Sequence, residues 1–141
     1  MQTGDMIMKR FATLAACAAL LTFTQARAIG TEHHIKAPLT TVGGSGVTGF
    51  VQLVQLPHGG TNIVVVASGL QPGQTYTSFY YESDNCTEPA DELKSFVADD
   101  QGEATAQGKI DDDLDEVGSV SVRLGEGYGT LLACAGVHGA N

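Results

Sequence analysis

The sequence has no tryptophan, three cysteines and only seven Lys or Arg residues against 16 Asp or Glu residues. So few cations cannot neutralise a phosphate backbone, which excludes nucleic acid as a partner. The cysteines and histidines lack the Cys-x-x-Cys and Cys/His spacings of structural zinc sites. The chain also lacks the Gly-x-Ser-x-Gly turn of serine hydrolases and the Gly-Lys-Ser/Thr of phosphate-binding loops. No catalytic motif is therefore available to assign a reaction.

The N-terminal region has the three parts of a secretory signal peptide. A basic start at Met8-Lys9-Arg10 precedes the apolar segment Phe11–Phe23 and the small-x-small sequence Ala26-Arg27-Ala28, which predicts cleavage after Ala28. The apolar segment is shorter than the roughly 20 residues that span a bilayer, so we expect no membrane span after cleavage. Leu14–Cys17 resembles a lipoprotein cleavage box, but apolar sequence continues beyond it. Residues 1–7 are either an extended n-region or sequence upstream of the true start codon.

The predicted mature chain is strongly acidic. One acidic and three basic residues precede Ile29, so 15 acidic and four basic residues remain, a net charge of about −11 with neutral histidines. Such a field repels phosphate groups and anionic lipid surfaces and favours solubility. Together with the leader, this composition predicts a secreted or periplasmic protein.

Two cysteines, Cys86 and Cys134, remain after cleavage. An even number of cysteines in an exported chain predicts one disulfide bond, and the spacing gives no support to a cysteine-based zinc site. Residues 29–41 show little periodicity and predict a flexible N-terminal arm, which carries His33 and His34. Residues 42–141 are long enough for one domain with a modest core.

Seven segments of this domain are rich in β-branched and aromatic residues and are bounded by Gly, Pro, Asn and Asp. No segment shows helical periodicity, which predicts an all-β, antiparallel β-sandwich or flattened barrel of about seven to eight strands. The acidic segment 87–93 predicts a loop or a short helical turn, and the acidic run 111–116 predicts a solvated connection. The predicted strands are residues 47–56, 61–68, 74–82, 94–98, 103–110, 117–124 and 130–137.

The strand over residues 74–82 has two aromatic faces, because successive side chains of a strand point to opposite sides. Tyr76, Ser78 and Tyr80 share one of these faces. A tyrosine pair beside Glu82 is a candidate recognition patch, although cross-strand packing explains the same composition.

Several segments, read in order, resemble the copper/zinc superoxide dismutase family from about Val47 to Val137. They are Val-Thr-Gly-Phe at 47–50, Gly-Leu-Gln-Pro-Gly at 69–73, Asp-Asp-Gln-Gly-Glu-Ala at 99–104 and Leu-Ala-Cys at 132–134. The resemblance implies a Greek-key β-sandwich. Cys86 and Cys134 fall where the intrachain disulfide of the family would lie.

The positions that the resemblance assigns to metal ligands carry other residues. The copper-binding His-x-His pair corresponds to Ser78 and Tyr80, and the last copper histidine falls near Arg123 or Leu124. Leu131 replaces the arginine that guides the anionic substrate, and the loop after Cys86 contains no histidine. Copper redox chemistry needs several converging imidazoles, which hydroxyl and phenol groups do not replace. We therefore expect no catalytic residue, no bound metal and no cofactor.

The sequence thus favours an exported, non-catalytic module of the superoxide dismutase-like kind with a binding or structural role in the cell envelope. Its partner would be a protein or a small molecule, and the family analogy also allows a homodimer. The alternative is a metal-binding protein or divergent oxidoreductase that uses histidines outside the family positions. The ends of a domain often lie close together, which would help such a site to form from His33, His34, His58 and His138.

Overall fold

The computed structural model describes residues 33–139, which form eight antiparallel strands and one 3-10 turn. The strands follow the order β5-β4-β7-β8-β1-β2-β3-β6, so the sheet curls round and brings its two ends, β5 and β6, together. The expected all-β fold, a flattened antiparallel barrel, is confirmed. The elements are β1 His34–Thr41, β2 Thr48–Gln55, β3 Thr61–Ser68, β4 Thr75–Tyr81, β5 Ala90–Val97, β6 Ala104–Ile110, the 3-10 turn Leu114–Glu116, β7 Ser119–Leu124 and β8 Leu131–Gly136.

β1 corrects the prediction of a flexible N-terminal arm for residues 34–41, while residues 29–32 lie outside the described residues. It pairs with β2 from the His34–Val54 position to the Leu39–Gly49 position, and its end pairs with β8. Ala37 and Leu39 are buried, so two modest apolar side chains are enough to hold the strand in the core. The signal peptide, the cleavage site after Ala28 and the lipoprotein alternative at Cys17 lie outside the described residues.

The main core fills the inside of the barrel and follows the two-residue period of the strands. In β3, which lies between β2 and β6, Ile63, Val65 and Ala67 point inward and are almost fully buried. Other strands contribute alternate residues in the same way. The cluster includes Ala37, Leu39, Val51, Leu53, Tyr76, Ala106, Val120, Val122, Ala133 and Ala135.

The seam between β5 and β6 is closed by side-chain packing. The β4–β5 pairing shifts register between Ser78 and Phe79, so Leu93 has no partner in β4 and forms a bulge. Leu93 packs against the core and against Gly108 of β6, where a Cβ atom would lie only 2.6 Å from Leu93 Cδ1. β5 begins at Ala90, earlier than predicted, because the acidic segment before Leu93 already pairs with β4.

Candidate functional site

Tyr76 and Ser78 point into the barrel, and they are not an exposed recognition patch. Tyr76 is buried, stacks on Phe96 and accepts a hydrogen bond from the backbone N–H of Gln71. Ser78 is 0% exposed, and its Oγ has no hydrogen-bond partner in residues 33–139. Tyr80 is half-buried against the same core. The interpretation of Tyr76, Ser78 and Tyr80 as a recognition surface is therefore wrong, because their face of β4 is the inner one.

The other face of β4 is the one that meets the disulfide. Phe79 and Tyr81 pack with Cys86 in a second, smaller cluster, against which Ala90, Leu131 and Cys134 are packed. Because the side chains of a strand alternate, a shift of one residue moves a side chain from the inner to the outer face of the sheet. Ser78 and Tyr80 therefore face the interior, whereas Phe79 and Tyr81 lie outside beneath the loops.

The predicted disulfide bond between Cys86 and Cys134 is confirmed. It joins the loop after β4 to β8 across a sequence separation of 48 residues, with the two Cα atoms 6.1 Å apart. Cys86 is buried, and its backbone N–H donates to Ser119 Oγ of β7. The bond therefore holds this loop against the outer face of β4, β7 and β8.

Beneath the loops lies a buried arginine. The alternation of β7 predicts a polar outer face carrying Ser119, Ser121 and Arg123, and the structure buries all three, leaving Arg123 only 8% exposed. The Arg123 guanidinium donates from Nε to Tyr81 OH at 3.0 Å and from Nη2 to Tyr128 OH at 2.7 Å. Tyr81 OH also exchanges a hydrogen bond with Ser121 Oγ at 2.8 Å. We call Arg123, Tyr81, Ser121 and Tyr128 the arginine cluster.

Two backbone carbonyls complete the contacts of the guanidinium. Nη1 donates to Gly129 O at 2.8 Å, and Nη2 lies 3.5 Å from Cys86 O. Arg123 therefore ties the disulfide loop and the β7–β8 loop to one another across the sheet. Sequence reasoning missed this arrangement, because the partners of Arg123 come from separate segments and no short motif links them.

Within residues 33–139, no carboxylate lies within 4.0 Å of the Arg123 guanidinium. The contact between a basic and an acidic side chain in this range is that of His138 Nδ1 with Asp84 Oδ1, at 2.6 Å. Burial, followed by the hydrogen bond to Tyr81, raises the pKa of Tyr128 to about 12, so its phenol remains neutral at physiological pH. The cluster is thus a buried cation surrounded by neutral oxygens, an arrangement that proteins generally avoid unless the charge is compensated.

Tyr128 covers the guanidinium and is itself 41% exposed. Its ring stacks on Arg123 with 3.6 Å between Cζ and the ring centroid, and it meets Phe79 edge-on at 5.1 Å. It belongs to the turn Gly125–Thr130 between β7 and β8, in which Gly125 and Gly127 have φ values of 79° and 77°. These left-handed conformations suit glycine.

A second feature is a cleft beside the start of β1 and the 3-10 turn. His33, Gln55, Asp113, Leu114 and Asp115 line an open cleft of about 340 Å³. Asp113 accepts hydrogen bonds from the Gly60 N–H and from Gln55 Nε2, both at 2.8 Å, and these bonds lower its pKa. The Asp113 N–H donates to Glu116 Oε2, which forms a capping box at the start of the 3-10 turn Leu114–Glu116. The Asp-x-x-Glu spacing is the sequence signal for this turn.

The acidic run 111–116 is more than a solvated connection. Leu114 is buried, and the Asp112 carbonyl accepts a hydrogen bond from Thr61 Oγ1. Burial, and then the nearby carboxylates of Glu116, Asp91, Glu82 and Asp111, raise the pKa of Asp112. Burial raises the pKa of Tyr80 as well, with contributions from Asp112, Asp91 and Asp111.

The histidines do not gather round one centre. His33 lines the cleft, His34 begins β1, His58 lies in the turn between β2 and β3, and His138 pairs with Asp84. In the part of the chain that the structure describes, no group of three or more His, Cys, Asp or Glu side chains is placed to hold a metal ion. Residues 33–139 also contain no helix that is long and apolar enough to cross a membrane.

No protein-family model matches this chain, and no curated protein matches it. Any assignment of function therefore depends on the geometry described above.

Proposed function

We propose that the chain is an exported, non-catalytic module resembling the copper/zinc superoxide dismutase family, with a binding or structural role in the cell envelope. The flattened antiparallel barrel and the disulfide between Cys86 and Cys134 support this proposal. A structural disulfide is typical of proteins outside the reducing cytosol, which fits an extracellular or periplasmic location. Cleavage after Ala28, a protein or small-molecule partner and a homodimer belong to the same proposal.

One observation carries the non-catalytic part of the proposal. The outer face of β4 and β7 beside the disulfide holds the guanidinium of Arg123, whose position falls close to that of a copper ligand in the resemblance. Two unit positive charges 4 Å apart repel each other by about 4 kcal/mol at an effective dielectric constant of about 20. A copper ion has a larger charge, and β4 offers it no imidazole on either face, since the inner face carries Ser78 and Tyr80 and the outer face Phe79 and Tyr81. This site therefore disfavours a redox metal.

Metal analysis and a dismutase assay of the purified mature protein test this function. We expect copper and zinc well below one equivalent after incubation with either metal, and superoxide decay at the uncatalysed rate. Stoichiometric copper together with dismutase activity would overturn the proposal. N-terminal sequencing of the exported protein tests its location, and we expect the chain to begin at Ile29.

A further inference from the structure

Arg123 is the one buried charged side chain of the described core, and within residues 33–139 no carboxylate lies within 4.0 Å of it. Glu88 is close enough to contribute to the raised pKa of Tyr128, but it forms no ion pair with Arg123. A guanidinium remains charged throughout the physiological range. Taking such a charge out of water has a cost of several kcal/mol unless an opposite charge accompanies it. The hydroxyls of Tyr81 and Tyr128 and two carbonyls supply only dipoles. The cluster would therefore be stabilised by a negative charge.

The guanidinium also has hydrogen-bonding capacity left. It carries five N–H groups in a planar fork, and within residues 33–139 it makes four hydrogen bonds, one of them at the long distance of 3.5 Å. One N–H of Nη1 has no acceptor in this part of the chain. A fork of this kind matches the two oxygens of a carboxylate or other oxyanion.

The β7–β8 turn gives such an anion a route to the guanidinium. Its ends are anchored, since the Gly125 N–H donates to Thr75 O and the Leu124 N–H donates to Thr130 O. Tyr128 lies in the middle of this turn, is 41% exposed, and is the side chain whose ring and hydroxyl cover the guanidinium from the solvent side.

We propose that Arg123 binds the oxyanion group of a small ligand, a carboxylate or an inorganic oxyanion, with Tyr128 as the gate over the site. This inference rests on the proposed function and deepens it by naming the ligand class of a binding module. The ligand would take the free N–H of Nη1 and, once Tyr128 moves, the Nη2 group that Tyr128 OH now occupies. The net negative charge of the protein opposes anions at long range, so we expect a small ligand to bind rather than a polyanion.

Thermal unfolding of the mature protein in sodium phosphate or sodium acetate tests the site, with total ionic strength held constant by sodium chloride. A ligand that binds only the folded state raises the unfolding temperature with its concentration. We expect a saturable rise in the wild type, and the more effective anion identifies the source of the oxyanion group. Tyr128→Ala should unfold at a lower temperature without the anion and should show a larger saturable rise, because the gate is missing.

Two variants of the arginine and one surface control complete the experiment. Arg123→Lys keeps the charge but loses the fork, so we expect about tenfold weaker binding of the anion, and Arg123→Met should show no saturable rise. Lys36→Met removes the cation that lies 4.1 Å from the Phe50 ring centroid at the surface and should respond as the wild type does. If Arg123→Met does not fold, the comparison of Arg123→Lys with Tyr128→Ala still shows whether Arg123 binds the anion.

The proposal is overturned if wild type, Tyr128→Ala and Arg123→Lys respond to the anions alike, or if none of them shows a saturable rise. The metal analysis and the dismutase assay do not depend on this result. Failure of the anion site is therefore distinguishable from failure of the proposed function.

Discussion

At the scale of single residues, the buried polar groups of β4 and β7 differ in whether they form a hydrogen bond. Ser121 Oγ is buried and bonded to Tyr81 OH, whereas Ser78 Oγ is buried and has no partner in the described chain. A buried polar group without a hydrogen bond lowers stability, and one with a bond contributes modestly to it. The two serines therefore form a matched pair for measuring this difference.

Ser78→Ala should stabilise the fold by about 1 kcal/mol, because it removes a desolvated hydroxyl that makes no bond. Ser121→Ala should destabilise it by about 1 kcal/mol, because the Tyr81 hydroxyl loses one of its two hydrogen-bond partners and keeps only Arg123 Nε. Urea denaturation of both variants and the wild type measures the free energies of unfolding. Destabilisation by Ser78→Ala would show that this hydroxyl has a hydrogen-bond partner in solution.

The neighbouring carboxylates of Asp112 and Asp113 should affect the pH dependence of stability in opposite directions. Because the pKa of Asp113 is lowered, its ionised carboxylate stabilises the fold at pH values above the ordinary pKa of 3.8. This stabilisation is lost as the pH falls through the folded-state pKa. Because the pKa of Asp112 is raised, its protonated form stabilises the fold at pH values below the ordinary pKa of 3.8. This stabilisation is lost as the pH rises through the folded-state pKa. At neutral pH we therefore expect Asp112→Asn to stabilise the fold and Asp113→Asn to destabilise it.

Urea denaturation between about pH 3 and pH 7, on either side of the ordinary carboxyl range, checks both signs. The difference in the free energy of unfolding between Asp113→Asn and wild type should shrink towards acidic pH, because a protonated Asp113 no longer contributes to stability as a carboxylate. Shifts of the same sign for the two variants at neutral pH would contradict this account of the acidic run.

At the scale of the elements, the barrel closes through one bulge. Leu93, left without a partner in β4, packs onto Gly108 in the seam between β5 and β6. A side chain at Gly108 would collide with Leu93, and the seam has no strand pairing that could absorb the displacement. The size of a side chain at Gly108 is limited by the position of the Leu93 side chain, and not by the backbone angles of residue 108.

Gly108→Val should destabilise the fold by about 1–3 kcal/mol through overpacking. Leu93→Ala alone should also destabilise it, because it opens a cavity. In the double variant we expect the two costs to be less than additive, since valine fills part of the space that leucine vacates. A double-mutant cycle measured by urea denaturation provides the test, and strict additivity would show that the two residues do not share this space.

At the scale of the whole molecule, the disulfide connects the loop after β4 to β8 and encloses β5, β6 and β7 in the closed segment. Arg123 donates to the carbonyls of Cys86 and Gly129 and so reinforces the same connection from beneath. The covalent bond and the arginine cluster therefore hold one side of the barrel together.

Reduction of the disulfide should lower the free energy of unfolding by about 4 kcal/mol, the chain-entropy value for a closed loop of 48 residues. Urea denaturation with and without a phosphine reductant measures the loss, and Cys86→Ser with Cys134→Ser is the matched variant. Equal stability of the oxidised and reduced proteins would show that the remaining contacts hold the loop unaided.

Much of the architecture could be predicted from local patterns. The two-residue alternation and the turn residues predicted seven strands from residue 47 onward, and all seven are present, although β5 begins earlier than predicted. β1 was not predicted, because its only buried residues are Ala37 and Leu39, with Pro38 between them and Lys36 before them. The bulge at Leu93 was not predicted either, because Leu93 packs against Gly108 of β6, which lies across the seam and is distant in sequence.

The sequence by itself determined the class of fold, the acidic surface and the cysteines available for a disulfide, because these depend on composition and on the period of each strand. Only the tertiary structure decided which face of β4 looks outward, and therefore that Tyr81 rather than Tyr80 meets the disulfide loop. It alone placed Arg123 between Tyr81 and Tyr128, whose strands and loops lie far apart in sequence. The physical reason is that alternation along a strand assigns its side chains to two faces but does not determine which other elements cover each face.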